Sequence, residues 1–251
     1  MKRLLLSFVF AAALAGCAHD TGAITQISTI DALLAGDYDG SEKTSKLTKY
    51  GNFGIGTFDR LEGEMIVLDG KVYQAKADGR IYTPENITTP FASVSFFEPE
   101  ITVNIDKPAT FEEIEKLVDE KVPDMNVFCA VKAEGNFKRM KVRSVPAQAK
   151  PYPPLAEVVK TQPVFEYENI SGTIVGYRLP AFVKGINVGG YHLHFIDSSK
   201  TYGGHILGFE MADGSVSAET ERRLTLILPE RGLKDIDLSK DRSGELQKVE
   251  K

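Results

Sequence analysis

The stretch Gly190-Tyr191-His192-Leu193-His194-Phe195-Ile196-Asp197, followed by Gly203-Gly204-His205, gathers most of the chain's histidine onto strand-forming sequence. Of four histidines in the chain, three stand within fourteen residues here. His192 and His194 are two apart in a run of aromatic and apolar residues. On a strand that spacing puts both imidazoles on one face, while Tyr191, Leu193 and Phe195 take the other. Residues 198–202 are polar and predict a turn, with a second strand resuming over 205–210. If the two strands pair as a hairpin, His205 returns beside the first two histidines. A convergent trio of neutral imidazoles with a fourth position open suits a catalytic divalent metal; a structural zinc usually closes its shell with four protein ligands, commonly thiolates. No cysteine lies in this region. A lone histidine on an apolar strand is most often a hydrogen-bonded core residue, and it is the trio split by a turn that favours a metal site.

Working outward from this hairpin, the chain reads as many short strands and few helices. Residues 51–56 hold three glycines among apolar residues, which predicts a strand with close backbone approach. They lack the lysine and helix opening of a phosphate-binding loop. Two strand-like runs flank Asp69-Gly70, a hairpin signature that places Glu64 at the start of its first strand. Strands are also expected over 90–97, 101–105, 126–132, 137–145, 164–167, 172–179 and 217–229. Thr110 with Glu113 three residues on forms a capping box, and the helix it opens carries Phe111, Ile114, Leu117 and Val118 on one face. A short helix is expected over 155–161. Four prolines crowd into 146–154, which excludes regular structure there and suggests a subdomain boundary. The expected fold is α+β, with two sheet-rich subdomains over 34–149 and 150–251, mixed β-sheets, few helices and the metal site on a strand hairpin of the second.

Composition narrows the function. The chain has 251 residues, 42% hydrophobic and 26% charged, ordinary values for a globular protein able to bury a core. A net charge of −5 and the absence of a long basic run argue against nucleic acid as a partner. Met1-Lys2-Arg3 followed by an apolar run over 4–15 fits a signal peptide and is too short to span a bilayer. Leu14-Ala15-Gly16-Cys17 resembles the lipobox of bacterial lipoproteins. That resemblance implies removal of 1–16, lipid on Cys17, a tether over 17–33, and export to the cell envelope with the membrane reached only through the lipid. Ala18, rather than Asp, after the cysteine resembles lipoproteins sorted outward in bacteria with two membranes. His19 falls in the tether. With Cys17 lipidated, Cys129 has no partner and is expected to be a small buried hydrophobe, so no disulfide is predicted.

Several ordered motifs carry a wider resemblance. Gly54-Ile55-Gly56-Thr57-Phe58, Leu61-Glu62-Gly63-Glu64-Met65, Thr89-Pro90-Phe91-Ala92, Gly172-Thr173-Ile174-Val175-Gly176-Tyr177 and Gly185-Ile186-Asn187-Val188 precede the histidine elements, and together they resemble the acetolactate decarboxylases. The similarity runs from about residue 34 to the C-terminus. It implies a zinc-dependent carboxy-lyase of acetoin biosynthesis that converts 2-acetolactate to acetoin and carbon dioxide, the metal stabilising an enediolate. It also implies a homodimer with a sheet continuing across the interface. By that resemblance His192, His194 and His205 are the metal ligands, Glu64 and Arg143 are catalytic, and Thr57 is a pocket hydroxyl. A glutamate of the C-terminal tail also reaches the family's site; Glu245 and Glu250 are the candidates, and Glu250 is favoured. The competing readings are an exported metal- or ligand-binding lipoprotein without turnover, and a cupin-type barrel. Such barrels usually add a glutamate shortly after H-x-H, and 195–200 contain none.

Overall fold

The computed structural model describes residues 22–250. The strands that matter below, leaving aside three two-residue ones, are in chain order β1 (Ala23–Ile27), β2 (Phe53–Thr57), β3 (Glu64–Leu68), β4 (Lys71–Ala75), β5 (Ile81–Tyr82), β6 (Ala92–Ser95), β7 (Ile101–Ile105), β8 (Phe128–Arg143), β9 (Val164–Leu179), β10 (Gly190–Asp197), β11 (Gly203–Glu221) and β12 (Arg223–Ile227). The helices that matter below are α1 (Ile30–Leu34), α2 (Phe111–Lys121), α3 (Leu155–Val158) and α4 (Ser243–Val249).

Two large sheets face each other, the first mixed and the second antiparallel. The first runs β12-β1-β6-β2-β3-β4-β5, and its only parallel pair is β1 with β12. The second is built on β11-β8-β9-β10, with β7 beside β11. Its ends meet: the first residues of β11 pair with β10 as well as with β8. Side chains alternate between the two faces of each strand, and the central strands β2, β3 and β6 of the first sheet are buried on both. Ile24, Phe53, Ile55, Ile66 and Leu68 of the first sheet meet Ala130, Val175, Tyr177 and Leu179 of the second in a shared core. On the outer face of the second sheet, α2 buries Ile114 and Val118 against Phe137, Met140 and Phe195. Its capping box forms as expected: Thr110 accepts from the Glu113 N–H while the Glu113 carboxylate accepts from the Thr110 N–H, a device whose loss costs about 1 kcal/mol. The helix runs three residues past the expected end at Val118.

The α+β class, a mixed sheet and the strand hairpin at the histidines are present as expected. The turn at Asp69-Gly70 has both residues at positive φ, 51° and 73°, the backbone of a type I′ hairpin. Three organisational expectations change. Residues 23–27, read as tether, form β1 near the edge of the first sheet, and 30–34 form α1; residues 17–21 of the expected tether, with Cys17 and His19, and the expected signal peptide 1–16 lie outside the described residues. The 146–154 segment is irregular but separates no sheets, because β8 before it and β9 after it pair along nearly their whole length. The expected strand over 217–229 is two strands. Glu221 ends β11 in the second sheet and Arg223 begins β12 in the first, so Arg222 alone turns the corner between them. Cys129 is fully buried, and burial pushes its thiol up to about 11.

Candidate metal centre and active site

The histidine hairpin is set by backbone pairing. His194 stands opposite His205 in the β10–β11 register, and His205 stands opposite Arg143 in the β11–β8 register. One rung of the sheet therefore carries His194, His205 and Arg143, while His192 lies two residues along β10 on the same face. The close approach depends on Gly204: a Cβ there would sit 2.5 Å from the Arg143 carbonyl oxygen, at a φ of 156°. The three imidazole centroids form a near-equilateral triangle, 5.0–5.3 Å on a side. A ligand nitrogen from each can be chosen so that all lie within 4.8 Å of one another.

From the facing sheet comes Glu64. It starts β3 and stands opposite Thr57 of β2 in register. Gly56 lets β2 lie tight against the next strand, since a Cβ there would be 2.4 Å from the Phe91 carbonyl oxygen. The Glu64 carboxylate lies 3.7 Å from His194 Nε2. The tail supplies Glu250, which follows α4 and lies 3.8 Å from His205 Nε2 and 4.0 Å from Arg143 Nη2. Glu245 lies one turn back and pairs with Arg242 at 3.3 Å. Of the two tail candidates it is Glu250 that reaches the histidines. Thr57 lines the same pocket, with its hydroxyl donated to the Gly63 carbonyl at 2.7 Å, so toward the pocket it can act only as an acceptor. The opposite wall is apolar, built from Ile30 and Leu33 of α1, Leu155 of α3, and Leu61, Phe91 and Val249.

Charge in this pocket is governed by burial. His192, His194 and His205 are 9%, 1% and 3% exposed. Burial, reinforced by the Arg143 guanidinium, pushes His192 down to about 3. Burial likewise holds His194 and His205 well below the usual range, with the neighbouring imidazoles and Arg143 adding to the effect. All three are therefore neutral at pH 7, the form that ligates a metal. Burial pushes Glu64 up to about 7; Arg143 opposes the rise and Glu250 adds to it. Burial pushes Glu250 up to about 7 as well, against the pull of Arg143.

The donor set fits a divalent ion. His194 Nδ1 lies 2.8 Å from the Met65 carbonyl oxygen, so it carries the proton and Nε2 presents its lone pair inward. That Nε2 is buried without a hydrogen-bond partner, as is His192 Nδ1; a buried polar atom left this way costs about 1–3 kcal/mol, which a bound cation would relieve. Some of this machinery had no sequence signature. The Met65 carbonyl is a backbone group that any residue would supply. Gln162, which accepts a hydrogen bond from Arg143 Nη1 at 3.0 Å, stands in an unremarkable polar run.

Comparison with known proteins agrees with this geometry. Residues 24–238 match the alpha-acetolactate decarboxylase family. The chain is 50% identical over 228 residues to the alpha-acetolactate decarboxylase of Methanosarcina mazei, covering 90% of this chain and 79% of that protein. It is 42% identical over 234 residues to that of Methylococcus capsulatus, covering 92% and 90%. The crystal structure of alpha-acetolactate decarboxylase from Bacillus subtilis superposes with a TM-score of 0.89 at 40% identity, covering 91% of this chain and 99% of that one. The histidine trio, the arginine and the paired acids thus stand in a chain that belongs to the alpha-acetolactate decarboxylase family, a family of carboxy-lyases.

Proposed function

We propose that this enzyme decarboxylates 2-acetolactate to acetoin and carbon dioxide, using a divalent ion, zinc, held by His192, His194 and His205. The observation that carries the reading is the convergence of three neutral imidazoles, a buried arginine, the buried Glu64 carboxyl and the partly buried Glu250 carboxyl at the polar end of an otherwise apolar pocket. Acetolactate is a β-keto acid, so losing carbon dioxide leaves an electron pair that must flow into the neighbouring ketone. When bound, the ion would supply positive charge beside the ketone and hydroxyl oxygens where that density accumulates. Three histidine ligands leave a coordination position open, the pattern of catalytic zinc.

The chain's own groups divide the remaining work. Arg143 is positioned to take the substrate carboxylate through charge-assisted hydrogen bonds. Departure of carbon dioxide removes that charge, so the interaction holds substrate and not product. Glu64 and Glu250, both raised to about 7, can carry a proton near neutral pH and deliver it to the carbon that loses its carboxylate. Delivery from one side of the pocket would fix the handedness of acetoin. The apolar wall keeps water from the carboxylate and strengthens every charge interaction within. Incubation of metal-replete protein with 2-acetolactate tests this reading. Acetoin and carbon dioxide are expected in equal amounts; bound metal without turnover would instead indicate a carrier.

The proposal includes a place in the cell: export, cleavage before Cys17 and anchoring by lipid, resting on the residues quoted from the N-terminus. Among the described residues no helix is long and apolar enough to cross a membrane. Cys17→Ser is expected to move the protein out of the membrane fraction, and a wild-type protein already found free in the cytoplasm would refute the anchoring.

A further inference from the structure

Arg143 is 4% exposed, and its three nitrogens have different surroundings. Nη1 donates to Gln162 Oε1 at 3.0 Å. Nη2 lies 4.0 Å from the Glu250 carboxylate, and Nε is buried with no hydrogen-bond partner. A guanidinium is planar and donates only, so Gln162 must present its oxygen. Nε–H and one Nη2–H point the same way within that plane, as a fork matched to a carboxylate, while Nη1 lies outside that fork in the same plane.

We propose that Gln162 is the positioning residue for Arg143: by holding Nη1 it turns the Nε/Nη2 fork toward the carboxylate of the substrate. This rests on the assignment of Arg143 to that carboxylate made above. Gln162 is itself held from both sides. It follows the 3₁₀ turn Val159–Thr161, whose first residue lines the pocket. It precedes Pro163, whose carbonyl accepts the N–H of Ser144, the residue after Arg143. The Ser144 hydroxyl in turn donates to the Ala75 carbonyl at 2.7 Å. The amide thus sits on backbone fastened to the arginine's own strand and to the first sheet. A neutral acceptor at this point fixes the guanidinium without adding a further countercharge beside it, as a carboxylate would.

The test compares two competitive ligands on metal-replete full chain. One is the non-decarboxylating analogue of acetolactate in which the ketone is reduced to an alcohol; the other is acetoin, the neutral product. Gln162→Met keeps side-chain length and bulk and removes the acceptor. It is expected to weaken the carboxylate analogue about tenfold, with acetoin inhibition, metal content and Tm unchanged. Arg143→Gln is expected to weaken the same analogue at least as much. Analogue affinity within about twofold of wild type in Gln162→Met, with a loss in Arg143→Gln, would overturn the role of Gln162 and leave that of Arg143 standing. No loss in Arg143→Gln would overturn the assignment of Arg143 and the inference with it. Equal weakening of both ligands in Gln162→Met would overturn the inference by showing that the side chain only supports the wall.

Discussion

Glu64 is the residue at which burial and chemistry meet most closely. Its carboxyl is raised to about 7 by burial and lies 3.7 Å from His194 Nε2, so it is half protonated near neutral pH and within reach of the proposed ion. Glu64→Gln keeps the shape and removes the titratable group. It is expected to lower kcat by about 10²-fold while metal content stays at the wild-type level; a variant with unchanged kcat would remove Glu64 from proton transfer. A second buried acid lies away from the histidines. Glu221 is fully buried, and burial, reinforced by Glu219 and opposed by the Ser95 hydroxyl, pushes it up to about 8 from 4.5. A carboxyl raised on folding contributes its stability in full below the unfolded value, and that contribution is lost as pH rises through the folded value. Glu219, raised to about 7, has the same sign. The contribution of these two acids to Tm is therefore expected to fall between about pH 4.5 and about pH 8, and Glu221→Gln to flatten that fall. Thermal melts across this range check it, and an equally steep decline in the variant would contradict the assignment.

Among the elements, the C-terminal helix α4 does two things. It buries Val249 and packs Leu246 in the cluster that contains Leu155 and Val158 of α3, and it thereby delivers Glu250 to Arg143 and His205. Burial of one such side chain stabilises by about 1.5–3 kcal/mol, a large part of what holds a seven-residue helix at a chain end. Two substitutions separate docking from chemistry. Val249→Ala is expected to speed hydrogen exchange in 243–250 and to lower kcat in proportion to the undocked fraction. Glu250→Gln is expected to lower kcat with exchange unchanged. Full turnover in both variants would make the tail a structural end only. This element also marks the limit of what the sequence makes legible. The H-x-H strand, the Asp69-Gly70 turn and the Thr110/Glu113 capping box are local, each decided by residues a few positions apart, and each stands where expected. Strand β1 was unreadable because its parallel partner β12 lies at the far end of the chain. The corner at Arg222 was unreadable because the period-two pattern continues through it while the partner sheet changes. Glu250 stood out only through family resemblance, since a charged terminal run has the composition of a frayed end.

At the scale of the molecule, the pocket lies where the two sheets and the helical pieces α1, α3 and α4 meet. The first sheet supplies Glu64 and Thr57, the second supplies Arg143 and the histidines, and the helical pieces supply much of the apolar wall. The first sheet ends on β12, whose Leu224 and Leu226 are half-buried and whose following residue, Leu228, is 54% exposed. A sheet edge with apolar side chains is a surface that association covers, and we propose a homodimer joined through the first sheet at β12. Sedimentation of the Cys17→Ser protein is expected to show the dimer at micromolar concentration; monomer alone would contradict it. The central claim is that the three histidines hold the ion on which turnover depends. It is tested most directly by measuring bound divalent metal per chain together with acetoin formation from 2-acetolactate, in wild type and in His194→Ala. The account predicts one ion per wild-type chain and the loss of both ion and activity in the variant. A folded His194→Ala protein that still binds a full equivalent of metal, or that makes acetoin at the wild-type rate, would contradict it.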